Sequence, residues 1–225
     1  MAGRKPEIPE GYLGPQEKWN ELGLKTMTHP NPEIIARDNH LKIEIGSETA
    51  HIKVTYQLIH CISEKEYSEY VFAQMKEGII HVMVHMPETG YYKLQLYALP
   101  SSDESKSLPN VFNYLIRCTT AAQTVHPFPK HYAQWKDGCF LHEPLVLHAN
   151  SNLTNINWRV NVPHANGVAV VVDEEWFHFE NRGGPVWMAK FSLDKYRGSN
   201  SKVKLSANFQ GDEESKFSTM LEFTI

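Results

Sequence analysis

The sequence predicts an all-β protein, two tandem sandwiches behind a short N-terminal docking segment, and three observations predict it. From about residue 40 onward apolar and polar residues alternate, the period of strands with one face in a core and one in water. No long amphipathic helical pattern occurs after Leu24, which excludes the alternating helix–strand architectures on which most nucleotide sites are built. The run Glu88-Thr89-Gly90-Tyr91-Tyr92-Lys93-Leu94 follows the F-strand grammar of immunoglobulin domains: an acid, a glycine, a tyrosine and a core residue two further on. Tyr92 is therefore the expected tyrosine corner, with Leu94 where secreted members place a cysteine, and the sandwiches are read as immunoglobulin-like.

The elements follow in order. Residues 1–32 are rich in Pro and Gly and hold one helical signal, with Pro15 suited to a first helical position, Gly23 to the stop, and Trp19 and Leu22 on one face. The next block, residues 33–120, is assigned to the first sandwich. Its strands are expected at 41–45, 52–58, 80–86, 92–97 and 111–116, each bounded by Gly, Pro, Asn or Ser turns. Residues 119–127 lose the alternation and read as a linker, and the second sandwich is assigned to 126–225. Strands there are expected at 145–147, 156–162, 168–172, 176–179, 186–191, 203–209 and 217–225, a spacing that suits a sandwich. The last hairpins of the two halves look alike, Phe112 to Arg117 in one and Phe217 to Glu222 in the other, a weak internal repeat.

Composition narrows the function classes. The chain has 225 residues, 22 Lys+Arg against 26 Asp+Glu, and a formal charge of -4, without the basic excess that phosphate tracking demands; nucleic acid is not an expected partner. Apolar runs such as Val168 to Val172 fall far short of the roughly 20 residues of a membrane span, and no apolar leader follows Met1. Cys61, Cys118 and Cys139 form an odd, scattered set, which suits free thiols in a reducing cytoplasm, so Asn152-Leu153-Thr154 is expected to be a chance glycosylation match.

Chemistry-bearing residues give no site. The twelve histidines raise the question of a metal, but His81 and His85 share one strand face about 13 Å apart by extended geometry and cannot bind the same ion. None of the cysteines has the helix N-terminus or cationic neighbour that activates a thiol, and neither a G-x-S-x-G elbow nor a phosphate-cradling glycine loop occurs. The acids at 173–175 and 212–214 read as solvated hairpin turns. Trp158 shares parity with Ile156 and Val160 and is expected in the core, comparable to the inward Trp of immunoglobulin strand C. Trp135, Trp176 and Phe179 lie near turns, where they can cap a sandwich, pack units together or anchor a partner, and they are the candidate interaction residues. The Ser-rich stretch at 99–110 is expected to be a mobile loop suited to contact or regulation.

Several of these residues together carry a family likeness: Gly11-Tyr12-Leu13-Gly14-Pro15, Leu22-Gly23-Leu24, His29-Pro30-Asn31-Pro32, the strands around Tyr92 and Phe112, and Phe128-Pro129 through Trp135, Cys139 and Leu141-His142-Glu143-Pro144. They resemble the C-terminal region of the kyphoscoliosis peptidase and hillarin family over nearly the whole chain. That family places a transglutaminase-like domain, with its Cys-His-Asp triad, ahead of this region, and is linked to the cytoskeleton or sarcomere through proteins such as filamin. Nothing in this sequence resembles the catalytic core, so no catalytic residue is carried over to any position. The resemblance implies a non-catalytic, cytoplasmic protein-interaction module with protein partners, cytoskeletal ones among them, and no cofactor or metal. The rival from another class is a metal- or small-ligand-binding protein or enzyme using the histidine-rich surface or a cleft between the units.

Overall fold

The computed structural model describes residues 3–135 and 138–225. The chain divides into two compact units, Met1–Pro127 and Phe128–Ile225.

In the first unit the elements are β1 (Gly14–Pro15), α1 (Lys18–Glu21), β2 (Leu24–Thr26), β3 (Glu33–Ala36), β4 (His40–Ser47), β5 (Ile52–His60), β6 (Val71–Lys76), β7 (Ile79–His85), β8 (Gly90–Pro100) and β9 (Asn110–Cys118). One sheet runs β2-β4-β7-β6 and the other β1-β9-β8-β5, with β3 beside β9. β3 is parallel to β9, Glu33 opposite Leu115 through Ala36 opposite Cys118. In immunoglobulin lettering these are the A-B-E-D and A′-G-F-C sheets. The alternation does what periodicity demands: in β7, Ile80, Val82 and Val84 are buried while His81, Met83 and His85 face outward, and in β8 Tyr92, Leu94, Leu96 and Ala98 line the core.

The N-terminal residues belong to these sheets. Pro15 lies in β1, not in the helix, because Gly14 and Pro15 pair with Asn113 and Phe112 along the edge of β9, and an edge position tolerates proline's missing N–H. The helix starts at Lys18. Trp19 and Leu22 are both buried, with the Trp19 ring 4.7 Å from Phe112.

The second unit contains β10 (Lys130–His131), β11 (Phe140–Glu143), β12 (Ile156–Asn161), β13 (Ala165–Val172), β14 (Glu175–His178), β15 (Glu180–Asn181), β16 (Val186–Phe191), β17 (Lys202–Phe209) and β18 (Ser218–Thr224). Its sheets are β11-β12-β16-β15 and β10-β18-β17-β13-β14, again A-B-E-D against G-F-C, here extended by a C′ strand. The strand expected at 145–147 is absent; it lies at Phe140–Glu143 instead, ended by Pro144, which has no N–H to continue a ladder. Trp158 is fully buried, but on β12, the B position. Its likeness to the strand-C tryptophan is therefore one of burial, not of topological place. Its ring packs against Phe191 at 5.6 Å, Phe223 at 5.8 Å and Phe179 at 5.9 Å.

Candidate interaction surface

The polar chemistry of the first unit converges on the β7–β8 corner. The Tyr92 hydroxyl donates to the Glu88 carbonyl at 2.8 Å and accepts the Glu88 N–H at 3.1 Å. The Tyr67 hydroxyl donates to Glu88 Oε2 at 2.7 Å; burial first, and Glu88 second, push the Tyr67 phenol up to about 12. His60 is buried beneath, its Nε2 3.0 Å from the Thr89 carbonyl and its ring 4.9 Å from that of Tyr92. Gly90 has φ +127, and a Cβ there would stand 2.6 Å from His60 Nε2. The glycine of the corner motif is thus required twice, by backbone conformation and by the imidazole against it.

This cluster brings a hydroxyl, an imidazole and a carboxylate together, and its geometry decides what it can do. Ser63 Oγ lies 2.8 Å and Glu88 Oε1 3.0 Å from His60, but both approach the same nitrogen, Nδ1, while Nε2 faces a backbone carbonyl. A nucleophile–base–acid relay needs the hydroxyl and the carboxylate on opposite ring nitrogens. The arrangement is a clamp that ties the end of β5 to the corner before β8.

The other candidates are dispersed. Burial pushes the Cys61 and Cys118 thiols up, the opposite of an activated nucleophile, and Cys118 Sγ lies 3.5 Å from the Asp38 and Thr120 carbonyls. His81 Nδ1 is 3.5 Å from Glu44, and His85 Nδ1 is 3.1 Å from the His126 carbonyl; burial lowers both imidazoles. Among the described residues no three His, Cys, Asp or Glu side chains are grouped to hold a metal ion, and no helix is long and apolar enough to cross a membrane.

The two G-F-C sheets differ on their outer faces. In the first unit the β9 side of that face is covered by the chain itself. The Tyr12 carbonyl accepts from Asn113 Nδ2 at 2.8 Å, the Lys93 ammonium lies 5.3 Å from the Tyr12 ring centre, Lys5 pairs with Glu33, and Gly3 reaches Ile62. Asn113 and Leu115, on outward parity in β9, are consequently buried at 2 %. An open depression of about 420 Å³ remains along this strap, lined by Lys5, Pro6, Ile8, Pro9, Leu13 and Glu33.

In the second unit the same face carries aromatic rings. Trp176 is 45 % exposed on β14. Its indole stacks on His178 at 5.8 Å and 19°, and meets the edge of Phe217 at 5.1 Å and 83°. Phe217 arrives from the β17–β18 loop, which Asn208 Nδ2 holds down through the Glu213 and Lys216 carbonyls, both at 2.7 Å. Gly167 lies beneath that ring; a Cβ there would stand 3.2 Å from Phe217. Trp135 is half-buried, its N–H bonded to the Tyr132 carbonyl in a turn. Phe179, expected at an interaction surface, is buried at 7 % and packs on Trp158 and Phe191; the chain crosses there from the C′ to the D strand and turns that ring inward. His178 and Phe217 are the surface aromatics that sequence reasoning missed. The two-residue period places His178 with Trp176, whereas no local signal brings Phe217 to them.

Two antiparallel sandwiches with A-B-E-D and G-F-C sheets, one of them pinned by a tyrosine corner, define a tandem immunoglobulin-like protein. The chain matches the family described as KY-like, immunoglobulin-like domain over residues 6–129, more than half of its 225 residues, and it belongs to that family. Similar solved structures include the filamin domain of Lin-41, 16% identical, covering 46% of this chain and 97% of that one with a TM-score of 0.28. The I9–I11 tandem of titin is 9% identical over 89% of this chain and 64% of that one, with a TM-score of 0.23. The periplasmic chaperone SfaE is 8% identical over 90% and 100%, with a TM-score of 0.27. Scores this low give those likenesses no weight beside the sheets and the family match. No curated protein matches the chain.

Proposed function

We propose that this chain is a non-catalytic protein-interaction module of the cytoplasm, acting at the cytoskeleton or beside a transglutaminase-like domain, and that Trp176 is its principal anchor. One observation carries the proposal. On equivalent sheet faces, the chain's own N-terminal segment overlies β9 in the first unit, whereas the second presents an exposed Trp176 and His178 beside a half-buried Phe217. Large aromatic rings standing in water on a rigid sheet are the residues that dominate binding energy when a partner removes that water. The cytoskeletal setting rests on the resemblance to the kyphoscoliosis peptidase and hillarin family. The test is affinity capture from a cytoskeletal extract with the immobilised full chain. Protein partners are expected that survive chelator and thiol alkylation and that are lost with Trp176→Ala. Capture of nothing, or of the same proteins by both forms, overturns this assignment.

A further inference from the structure

β14 is the terminal strand of its sheet among the described residues, and its hairpin fixes which groups face outward. Val172 and Glu175 flank the Asp173–Glu174 turn, and Phe179 N–H bonds the Val168 carbonyl at 2.9 Å. Bonded and non-bonded pairs alternate in an antiparallel ladder, so 175, 177 and 179 are the bonded positions. Trp176 and His178 therefore turn their backbone N–H and C=O groups away from β13, toward the open edge, while their side chains stand on the exposed face. An extended peptide added there gains main-chain hydrogen bonds and places alternate side chains beside the two rings.

Charge selects what those side chains are. Asp173 and Glu174 are exposed in the turn before Trp176, and Glu213 and Glu214 are exposed in the loop that delivers Phe217. Two neighbouring lysines are committed, Lys195 to Glu175 and Lys216 to Asp212, leaving Lys202, bonded to the Thr224 hydroxyl, and Lys204 on the outer face against the four acids. An aromatic face rimmed by unneutralised carboxylates attracts a cation, and a planar guanidinium both stacks on an indole and forks to carboxylates, which an ammonium does not. A second copy of this strand is disfavoured, because antiparallel pairing through Trp176 and His178 would set Glu174 of one copy opposite Glu180 of the other.

We propose that β14 takes up an arginine-bearing extended segment of a partner protein as an added strand, one guanidinium lying over Trp176 and within reach of the acidic turns. This rests on the assignment of Trp176 as a partner anchor.

The experiment titrates the full chain, carrying 15N-labelled tryptophan, with a blocked octapeptide alternating threonine and arginine, and separately with a threonine–glutamate octapeptide. The Trp176 indole N–H resonance is expected to move with the arginine peptide alone while that of Trp158 stays fixed. Affinity is expected to fall about tenfold in Trp176→Ala and in Glu174→Lys combined with Glu214→Lys, and to weaken as salt rises. A still Trp176 resonance, an equal response to the glutamate peptide, or a shift that tracks protein concentration without peptide overturns the proposal; the last assigns the face to self-association. If the peptide fails while Trp176-dependent capture persists, the arginine chemistry alone is wrong; if both fail, the interaction assignment falls with it.

Discussion

The two units share a strand order and secure it by different chemistry. The first pins its F strand with a polar clamp, in which the Tyr92 hydroxyl holds the Glu88 backbone and His60 fills the space beside Gly90. The second has no tyrosine on the matching strand β17; an aromatic cluster around Trp158 fills its centre instead. The backbone pattern thus leaves open how the sheets are locked, and each unit solves that with side chains from different strands. The outer faces show the same independence. Residues 3–13 overlie β9 in the one, whereas in the other the added strand β14 and the β17–β18 loop leave Trp176 and His178 exposed beside Phe217.

The largest expected effect separates the two cores. Trp158→Ala should destabilise the second unit by about 3–5 kcal/mol, the usual cost of emptying a buried aromatic site, while hydrogen exchange in the first unit is unchanged. Trp158→Phe should cost much less, since it also removes an indole N–H buried without a hydrogen-bond partner. Equal loosening of both units by Trp158→Ala would show that they do not have separate cores.

A pH series sharpens the contrast next. Burial holds His131 of the second unit down to about 4, against about 6.5 in an unfolded chain. Below that upper value the unfolded chain takes up a proton that the folded one refuses. Stability is therefore full above about pH 6.5 and falls as pH drops toward 4, by at most ~3 kcal/mol. His131→Gln should flatten that part of the melting-temperature profile. His81 and His85 in the first unit are also lowered by burial, so its slope has the same sign.

Tyr92→Phe should cost the first unit about 1–2 kcal/mol, because the part-buried Glu88 N–H and C=O both lose their partner. Exchange should accelerate first at the β7–β8 corner, and an unchanged corner would mean that the clamp rests on His60 and Tyr67 instead. Trp176→Ala should be the smallest, within about 0.5 kcal/mol by denaturant melt, since a half-exposed ring contributes little to folding. A larger loss would make that ring part of the structure and weaken its role as an anchor.

How much was legible differs by region for the same reason. Strands β4, β5, β7, β8 and β9 could be read because one face of each meets a core and alternation records it. β6 could not: Phe72 at 0 % and Gln74 at 6 % share one parity while Val71 and Ala73 fill the other, so both faces are buried and the period disappears. β3 was hidden because its parallel partner lies some eighty residues away, opposite Leu115 to Cys118. The acid–Gly–Tyr signal located the Tyr92 corner, yet His60, Ser63 and Tyr67 come to it from another strand and loop.

By itself the sequence determined what depends on near neighbours: the all-β class, the two-sandwich organisation, the inward parity of Trp158, and the absence of any local pattern for nucleotide or metal chemistry. Only the tertiary structure decided which outward residues remain in water. Asn113 and Leu115 look no less exposed in sequence than Trp176 does, but a strap a hundred residues distant covers the first pair. Phe177 and Phe179 fold inward, while Phe217 crosses the sheet to complete the ring cluster. Exposure is settled by segments that meet through space, and a two-residue period carries no record of them.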